Sequence, residues 1–115
     1  MNNSGKAAEQ FALQFLLQQG LVLLETNYLC RFGEIDLIMR DGKEIVFVEV
    51  RLRGNASFGG AAASITHSKQ QKLSRTAEHY LLQHSNSACR FDAVLLDGVE
   101  TQRMEWIRNT FESCA

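Results

Sequence analysis

Acidic residues interrupt two strongly apolar segments in the first half of the chain. Glu34 and Asp36 lie in the segment that begins at Gly33, and Glu49 lies in the segment that ends at Arg51. Such segments normally belong to a protein core, where an unpaired carboxylate is costly. Paired carboxylates can instead hold a hard cation such as Mg²⁺, which binds one or two carboxylates together with water and a substrate phosphate. The pattern therefore predicts a metal or phosphate site.

The position of a turn decides whether these acids can meet. Asp41-Gly42 between two apolar runs is a strong signal for a β-hairpin, because both residues tolerate positive φ. With the loop centred there, Glu34 faces Glu49, and Asp36 is a diagonal neighbour of Glu49 at roughly 7–8 Å between Cα atoms. Since side chains in a strand alternate, the acids and Arg51 share one face of the sheet. The alternative is a hairpin at the sheet edge, whose acids point to water and discourage aggregation.

The elements that would position these acids follow one another in blocks. Apolar residues recur at helical spacing in two long segments, and in alternation or short runs elsewhere. Helices packed on such a sheet place the chain in the α/β class, with an α+β mixed sheet, as a single domain over 1–115. The predicted elements are a helix over 4–19, strands over 21–29, 33–40 and 43–51, a loop over 54–63, a helix over 66–84, a strand over 89–96, a short strand over 104–107 and a short terminal helix over 109–114.

Further candidates lie on the predicted helices and after the third strand. Glu9 falls at the rim of the apolar face of the first helix, where it could supply a third carboxylate or serve as a surface acid favoured by the helix macrodipole. Lys69 and Lys72 lie near the start of the second helix. With Arg51 and Arg53 they could form a basic rim that binds phosphates. The alternative for the two lysines is a solvated helix face.

Composition bounds the environment and the partners. The 115-residue chain has a formal net charge of −1, so nucleic-acid binding would need a local basic patch. No apolar run approaches the ~20 residues that cross a bilayer, and the first residues lack the pattern of a signal peptide, so we expect a cytoplasmic protein without a membrane partner. The 3 cysteines have no metal-ligand spacing and are expected to be reduced thiols.

The ordered motifs resemble those of one known family. The Gly33-Glu34-Ile35-Asp36 and Phe47-Val48-Glu49-Val50-Arg51 segments, preceded by Glu9 and followed by Lys69 and Arg90-Phe91-Asp92, resemble the YraN-like family of small bacterial proteins, to which endonuclease activity is ascribed. That family resembles the restriction-endonuclease-like, PD-(D/E)xK superfamily and is similar to archaeal Holliday-junction resolvases. The resemblance covers nearly the whole chain. It implies a restriction-endonuclease-like core of helix, three strands, helix and strand.

The resemblance also implies an activity and roles for particular residues. It implies a metal-dependent endonuclease that hydrolyses DNA, including branched DNA such as Holliday junctions. Asp36 and Glu49 match the motif acids that bind Mg²⁺ or Mn²⁺, and Glu9 matches the acid of the first helix. Arg51 stands where the motif has lysine, and Lys69 falls near a helix position that often carries a supporting basic group. Arginine stays charged and cannot act as a general base, so a mechanism with a base at residue 51 is not expected.

Three functions are therefore open from the sequence. The first is a metal-dependent nuclease built on the acids. The second is a non-catalytic nucleic-acid-binding domain that keeps the nuclease fold, which Arg51 and the lack of net positive charge favour. The third is a structural or adaptor domain whose acids are merely exposed. A homodimer is expected by analogy with resolvases, because symmetric cutting of a junction needs two active sites.

Overall fold

A five-stranded sheet with one helix on each face forms the described part of the computed structural model. The structure describes residues 3–52, 66–84, 87–97 and 104–111. Arg53 and the predicted loop over 54–63 lie outside the described residues. The elements are α1 (Asn3–Gln18), β1 (Val22–Cys30), β2 (Gly33–Asp41), β3 (Glu44–Leu52), α2 (His67–His84), β4 (Cys89–Leu96) and β5 (Met104–Phe111).

The strands lie in the order β1-β2-β3-β4-β5. β3 and β4 are parallel, whereas the other neighbouring strands are antiparallel. A parallel pair needs a long crossover, which the chain containing α2 supplies. This arrangement confirms the mixed α/β fold class and the order helix, three strands, helix, strand. It also places β2 and β3 inside the sheet, so the edge-hairpin interpretation of their acids is wrong.

The hairpin between β2 and β3 turns one residue later than predicted. Asp41 pairs with Glu44 across a loop of Gly42 and Lys43, which shifts the pairing by two residues from the predicted register. Gly42 has a φ of 64°, which suits the first position of a two-residue loop that needs glycine only there. A shift of two residues does not by itself change which face a side chain takes, whereas a shift of one would have moved the acids to the other face.

Side-chain alternation reverses in the middle of β2. Residues two apart in a regular strand share a face. Ile35, however, belongs to the core beneath α2, and Leu37 belongs to the core beneath α1. The reversal falls at Asp36, and β1 carries Asn27 at the facing position with a φ of 50°. Asparagine adopts this left-handed conformation more readily than most residues, so the two strands can bend together.

Each helix covers its own apolar core, as the spacing of its apolar residues predicted. His84 is exposed at the end of α2, where its ring stacks on that of Tyr80 with 4.0 Å between centroids. Within the described ranges, neither helix is long and apolar enough to span a membrane. The buried helix residues are Ala8, Ala12 and Leu16 on α1 and Leu73, Thr76, Ala77 and Tyr80 on α2.

A buried ionic cluster ties β4 to its neighbours. Asp92 is 1% exposed, and its carboxylate accepts hydrogen bonds at 3.0–3.2 Å from Arg90 Nε, Trp106 Nε1 and the backbone N–H of Asn109. Arg90 also pairs with two carboxylates that flank the hairpin loop, those of Asp41 at 3.0 Å and Glu44 at 2.9 Å.

β5 continues as far as Phe111, so the predicted terminal helix is wrong for residues 109–111. The backbone N–H of Asn109, which has a φ of 53°, is bonded to Asp92. The ring of Phe111 stacks on that of Phe91 with 4.5 Å between centroids. These contacts with β4 stabilise a strand where the local pattern favoured a helix. Residues 112–114, the rest of that predicted helix, lie outside the described residues.

Cys30 on β1 and Cys89 on β4 differ in oxidation state. Cys30 is free, whereas Cys89 is disulfide-bonded, so the prediction of reduced thiols is wrong for Cys89. Disulfide pairing depends on which distant segments meet in the fold. An odd number of cysteines with irregular spacing does not reveal it. Disulfides are uncommon in reducing compartments, so this bond gives no support to the predicted cytoplasmic location.

Candidate active site

The site lies where the pairing of β2 with β3 ends. The paired residues run from Asp41–Glu44 to Leu37–Val48, and beyond them Asp36 Oδ2 accepts a hydrogen bond of 2.8 Å from the backbone N–H of Val50. A side-chain carboxylate therefore contacts the β3 backbone just past the last paired residues. Here a cavity of about 370 Å³ opens between the sheet and α2. It is lined by Gly33, Glu34, Asp36, Glu49, Thr66, Ser68, Lys69, Lys72, Leu73 and Thr76.

The structure brings Glu34, Asp36 and Glu49 to this one cavity. Glu34 is exposed, whereas Glu49 is only 6% exposed. Burial, and then the charge of Glu49, raises the pKa of Asp36 from 3.8 to about 7, with further contributions from Glu9 and Glu34. The hydrogen bond from Val50 acts in the opposite direction. Asp36 and Glu49 are therefore close enough to repel each other, and a bound cation would relieve that repulsion.

Two basic side chains contact a single oxygen of Glu49. Lys69 Nζ lies 2.6 Å from Glu49 Oε2, and Arg51 Nε lies 3.3 Å from the same atom. The Arg51 Nε atom is buried and makes no hydrogen bond within the described part of the chain, so its contact with Glu49 is electrostatic. Lys69 comes from the first turn of α2, whereas Arg51 comes from the same strand as Glu49. The site therefore combines two acidic side chains with two positively charged ones.

Glu9 lies near this group without joining it. Its Oε1 accepts a hydrogen bond of 3.1 Å from Asn27 Nδ2, and its charge reaches Asp36. Across residues 3–52, 66–84, 87–97 and 104–111, no group of three or more His, Cys, Asp or Glu side chains could hold a metal ion. Asn27 was not identified from the sequence. Its signal was an asparagine within a predicted strand, where this residue type is depleted.

The available donors fit a hard divalent cation with few protein ligands. Asp36 and Glu49 supply two carboxylates. The carbonyl of Val50 points to the same side of β3 as its N–H, towards Asp36, because both backbone groups of a strand residue point the same way. Mg²⁺ keeps several waters and needs only one or two carboxylates. Two acids and a carbonyl therefore suffice for Mg²⁺ or Mn²⁺ without a third carboxylate.

Gly33 allows α2 to approach the site. It has a φ of 150°, and a Cβ at this position would lie 3.3 Å from Thr76 Oγ1 and 4.0 Å from Lys72 Cβ. The Thr76 hydroxyl is held in place because it donates a hydrogen bond of 2.8 Å to the carbonyl of Lys72. The absence of a side chain at residue 33 thus helps to bring the lysines of α2 beside the acids of the sheet.

Replacing Gly33 by alanine is expected to lower the free energy of unfolding by about 1–3 kcal/mol, because the new Cβ suffers both backbone strain and a close contact with Thr76. Urea denaturation would measure the loss. Gly20→Ala is the matched control, since Gly20 has a φ of 97° and nothing lies within 4 Å of its added Cβ. Equal losses in the two variants would show that the contact with α2 has no energetic weight.

Comparison with known proteins identifies the family. The sequence model of "Uncharacterised protein family UPF0102" matches residues 8–96. A UPF0102 protein of Nitrosomonas europaea is 60% identical over 111 residues, which cover 96% of this chain and 94% of that protein. A UPF0102 protein of Nitrosospira multiformis is 59% identical over 109 residues, covering 94% and 92%. One of Legionella pneumophila is 46% identical over 112 residues, covering 95% and 94%. The chain therefore belongs to the UPF0102 family, the YraN-like proteins that its motifs resemble.

Proposed function

We propose that this protein is a metal-dependent endonuclease that hydrolyses phosphodiester bonds in DNA. The observation that carries the proposal is that Asp36, Glu49 and Lys69 line one cavity at the end of the β2–β3 pairing. There Lys69 and Arg51 both contact Glu49, and the charge of Glu49 acts on Asp36. Carboxylates that hold a cation, next to basic groups that bind phosphate oxygens, are the parts that phosphodiester hydrolysis requires.

The acids form the cation-binding side of the proposed site. Asp36 and Glu49 would hold Mg²⁺ or Mn²⁺, and the carbonyl of Val50 would add a neutral ligand. When bound, such a cation lowers the pKa of a coordinated water and offsets negative charge on the scissile phosphate. Glu9, fixed by Asn27, adds negative charge near Asp36. We assign it a supporting role in cation binding.

The basic residues form the phosphate-binding side. Arg51 is always charged, so it would stabilise negative charge that develops on the phosphate oxygens in the transition state. Lys72 lines the same cavity one helical turn after Lys69. With Arg53 after β3, these lysines would position the DNA backbone. The local basic groups thus supply what the net charge of −1 does not.

Branched DNA is the proposed substrate class, and it rests on the likeness of the motifs to those of junction resolvases. Symmetric cutting of a four-way junction requires two active sites, so the proposed working form is a homodimer. Such a substrate also places the protein in the bacterial cytoplasm.

The first test uses labelled DNA as a four-way junction, a flap and a plain duplex. Each is incubated with the protein in Mg²⁺, Mn²⁺ or EDTA. We expect cutting only with metal, reduced at least about a hundredfold in Asp36→Ala and in Glu49→Ala, because a bound cation contributes several kcal/mol to transition-state stabilisation. Glu78→Ala, which removes an exposed acid from α2, is the control that should still cut. Cutting that survives EDTA and both site variants would refute these assignments.

A non-catalytic nucleic-acid-binding domain is the second candidate. The observation that favours it is the contact of both Arg51 and Lys69 with Glu49, which leaves one acid of the pair already neutralised. This function predicts DNA binding that weakens steeply with salt. It also predicts no hydrolysis, and affinity that neither EDTA nor Asp36→Ala changes. The same DNA substrates, used in a binding assay at two salt concentrations, separate the two candidates.

A further inference from the structure

Lys69 contacts the carboxylate of Glu49, one of the two acids proposed to bind the cation. Its Nζ lies 2.6 Å from Oε2 of Glu49, whose side chain is almost fully buried. The Lys69 side chain is 35% exposed, so it can move towards solvent more easily than its partner. Its backbone is fixed, because the Lys69 N–H donates a hydrogen bond of 3.2 Å to Thr66 Oγ1. The structure therefore holds the ammonium of a partly exposed lysine on the carboxylate of an almost fully buried glutamate.

We propose that Lys69 is a built-in competitor of the metal, whose ammonium neutralises Glu49 in the metal-free protein and is displaced when a divalent cation binds. The proposal rests on the proposed function for the identity of Asp36 and Glu49 as ligands. Mg²⁺ binds carboxylate oxygens at about 2.0–2.1 Å. An ammonium at its present distance from the same oxygen would lie directly beside that ion, and the two positive charges would repel each other strongly in a half-buried site.

The proposal gives the displaced ammonium a second partner. Lys69 and Lys72 line the same cavity from one side of α2, where a phosphate would enter. Metal binding thus changes the partner of Lys69 from Glu49 to the phosphate group of a substrate. Removing Lys69 should consequently have two effects of opposite sign. Metal affinity should rise, because Glu49 loses its competitor, and DNA cleavage should fall, because the phosphate loses a ligand.

The test is titration of Mn²⁺ into metal-free protein, followed by calorimetry and by the electron paramagnetic resonance of free Mn²⁺. Lys69→Ala is expected to bind Mn²⁺ about three- to fivefold more tightly than the wild type, the range of partly exposed ion pairs. Lys69→Arg keeps the charge and should bind like the wild type. Lys72→Ala removes a charge from the same cavity and should have a smaller effect. Thermal melting of each variant shows whether it is folded.

The outcomes separate this proposal from the proposed function. Equal Mn²⁺ affinity in the wild type and in Lys69→Ala, or an increase that Lys72→Ala matches, would overturn the competitor role. The metal site itself would stand in that case if Asp36→Asn abolishes binding. Failure of Mn²⁺ to bind to the wild type and to Lys69→Ala alike would overturn the metal-dependent function together with this inference.

Discussion

Replacing Asp36 by asparagine is expected to raise the free energy of unfolding by about 1–3 kcal/mol above pH 7 while removing the proposed cleavage activity. Burial and the charge of Glu49 raise the pKa of Asp36 from 3.8 to about 7. A carboxyl group whose folded pKa is raised stabilises the fold below its unfolded pKa, and that contribution is lost as the pH rises through the folded value. This rise in the pKa of Asp36 corresponds to about 4 kcal/mol of unfolding free energy. Because the group is only partly buried, screening by solvent reduces that value. Asparagine never ionises, so it avoids this loss.

Urea denaturation between pH 4 and pH 9 would measure the effect of this substitution. The difference in unfolding free energy between the variant and the wild type should grow from about pH 4 to pH 7 and then stay level. The groups that face Asp36 are Glu49, Glu9 and Glu34, with Lys69 and Arg51 acting through Glu49. Glu34→Gln is the control, because this acid is exposed and should change stability little. A difference that does not vary with pH would exclude the ionisation of Asp36 as its source.

Mg²⁺ is expected to reduce the difference in unfolding free energy between Asp36→Asn and the wild type. A ligand that binds only the folded protein stabilises it in proportion to the logarithm of ligand concentration. The wild type retains both carboxylates, so its unfolding free energy should rise as Mg²⁺ is added. Asp36→Asn lacks one carboxylate and should respond weakly. Identical responses of the two proteins would show that Mg²⁺ binds somewhere other than at Asp36.

Replacing Asp92 by alanine is expected to lower the free energy of unfolding by about 3–5 kcal/mol, because it removes one partner of a buried ion pair and leaves the other in place. The Arg90 side chain is 9% exposed. Burial lowers the pKa of Arg90, but the hydrogen bond and charge of Asp92, together with the hydrogen bonds to Glu44 and Asp41, more than offset this and raise it above the ordinary value. The substitution would also leave Trp106 Nε1 and the N–H of Asn109 without their acceptor.

Two further variants test whether burial of the ion pair causes the loss of unfolding free energy in Asp92→Ala. Glu44→Gln weakens a partly exposed contact with Arg90 and should cost less than about 1 kcal/mol. The double replacement of Arg90 by methionine and Asp92 by leucine removes both buried charges, so it should recover part of the loss seen in Asp92→Ala. Chemical denaturation of all three proteins gives the comparison. If Asp92→Ala and Glu44→Gln unfold at the same denaturant concentration, the cluster does not contribute as a buried pair.

The face of the sheet that carries the acids could be predicted although the turn was misplaced. Asp41-Gly42 indicates a hairpin, but both residues were assumed to take positive φ, and only Gly42 does so. The resulting error was two residues, and strand side chains repeat every two residues. The alternation of Glu34, Asp36 and Glu49 with apolar residues therefore contained the information that mattered, and the exact pairs did not.

The contacts of α2 with the site could not be predicted in the same way. Helical spacing places Lys69 on the flank of α2, but which acid it meets depends on how the helix docks. That docking depends on the contact between Gly33 and Thr76, which are far apart in the chain. The extension of β5 to Phe111 and the disulfide of Cys89 likewise depend on tertiary contacts, which local pattern does not encode.

The paired reversal at Asn27 and Asp36 has a consequence for transplanting this site into another protein. A regular strand that received only residues 33–37 would turn Ile35 and Leu37 to the same face, and one of them would lose its contacts with its own core. Asn27 provides the matching bend in the neighbouring strand. A graft of the site therefore has to carry β1 as well as β2 and β3, so that the asparagine of β1 accompanies the aspartate of β2.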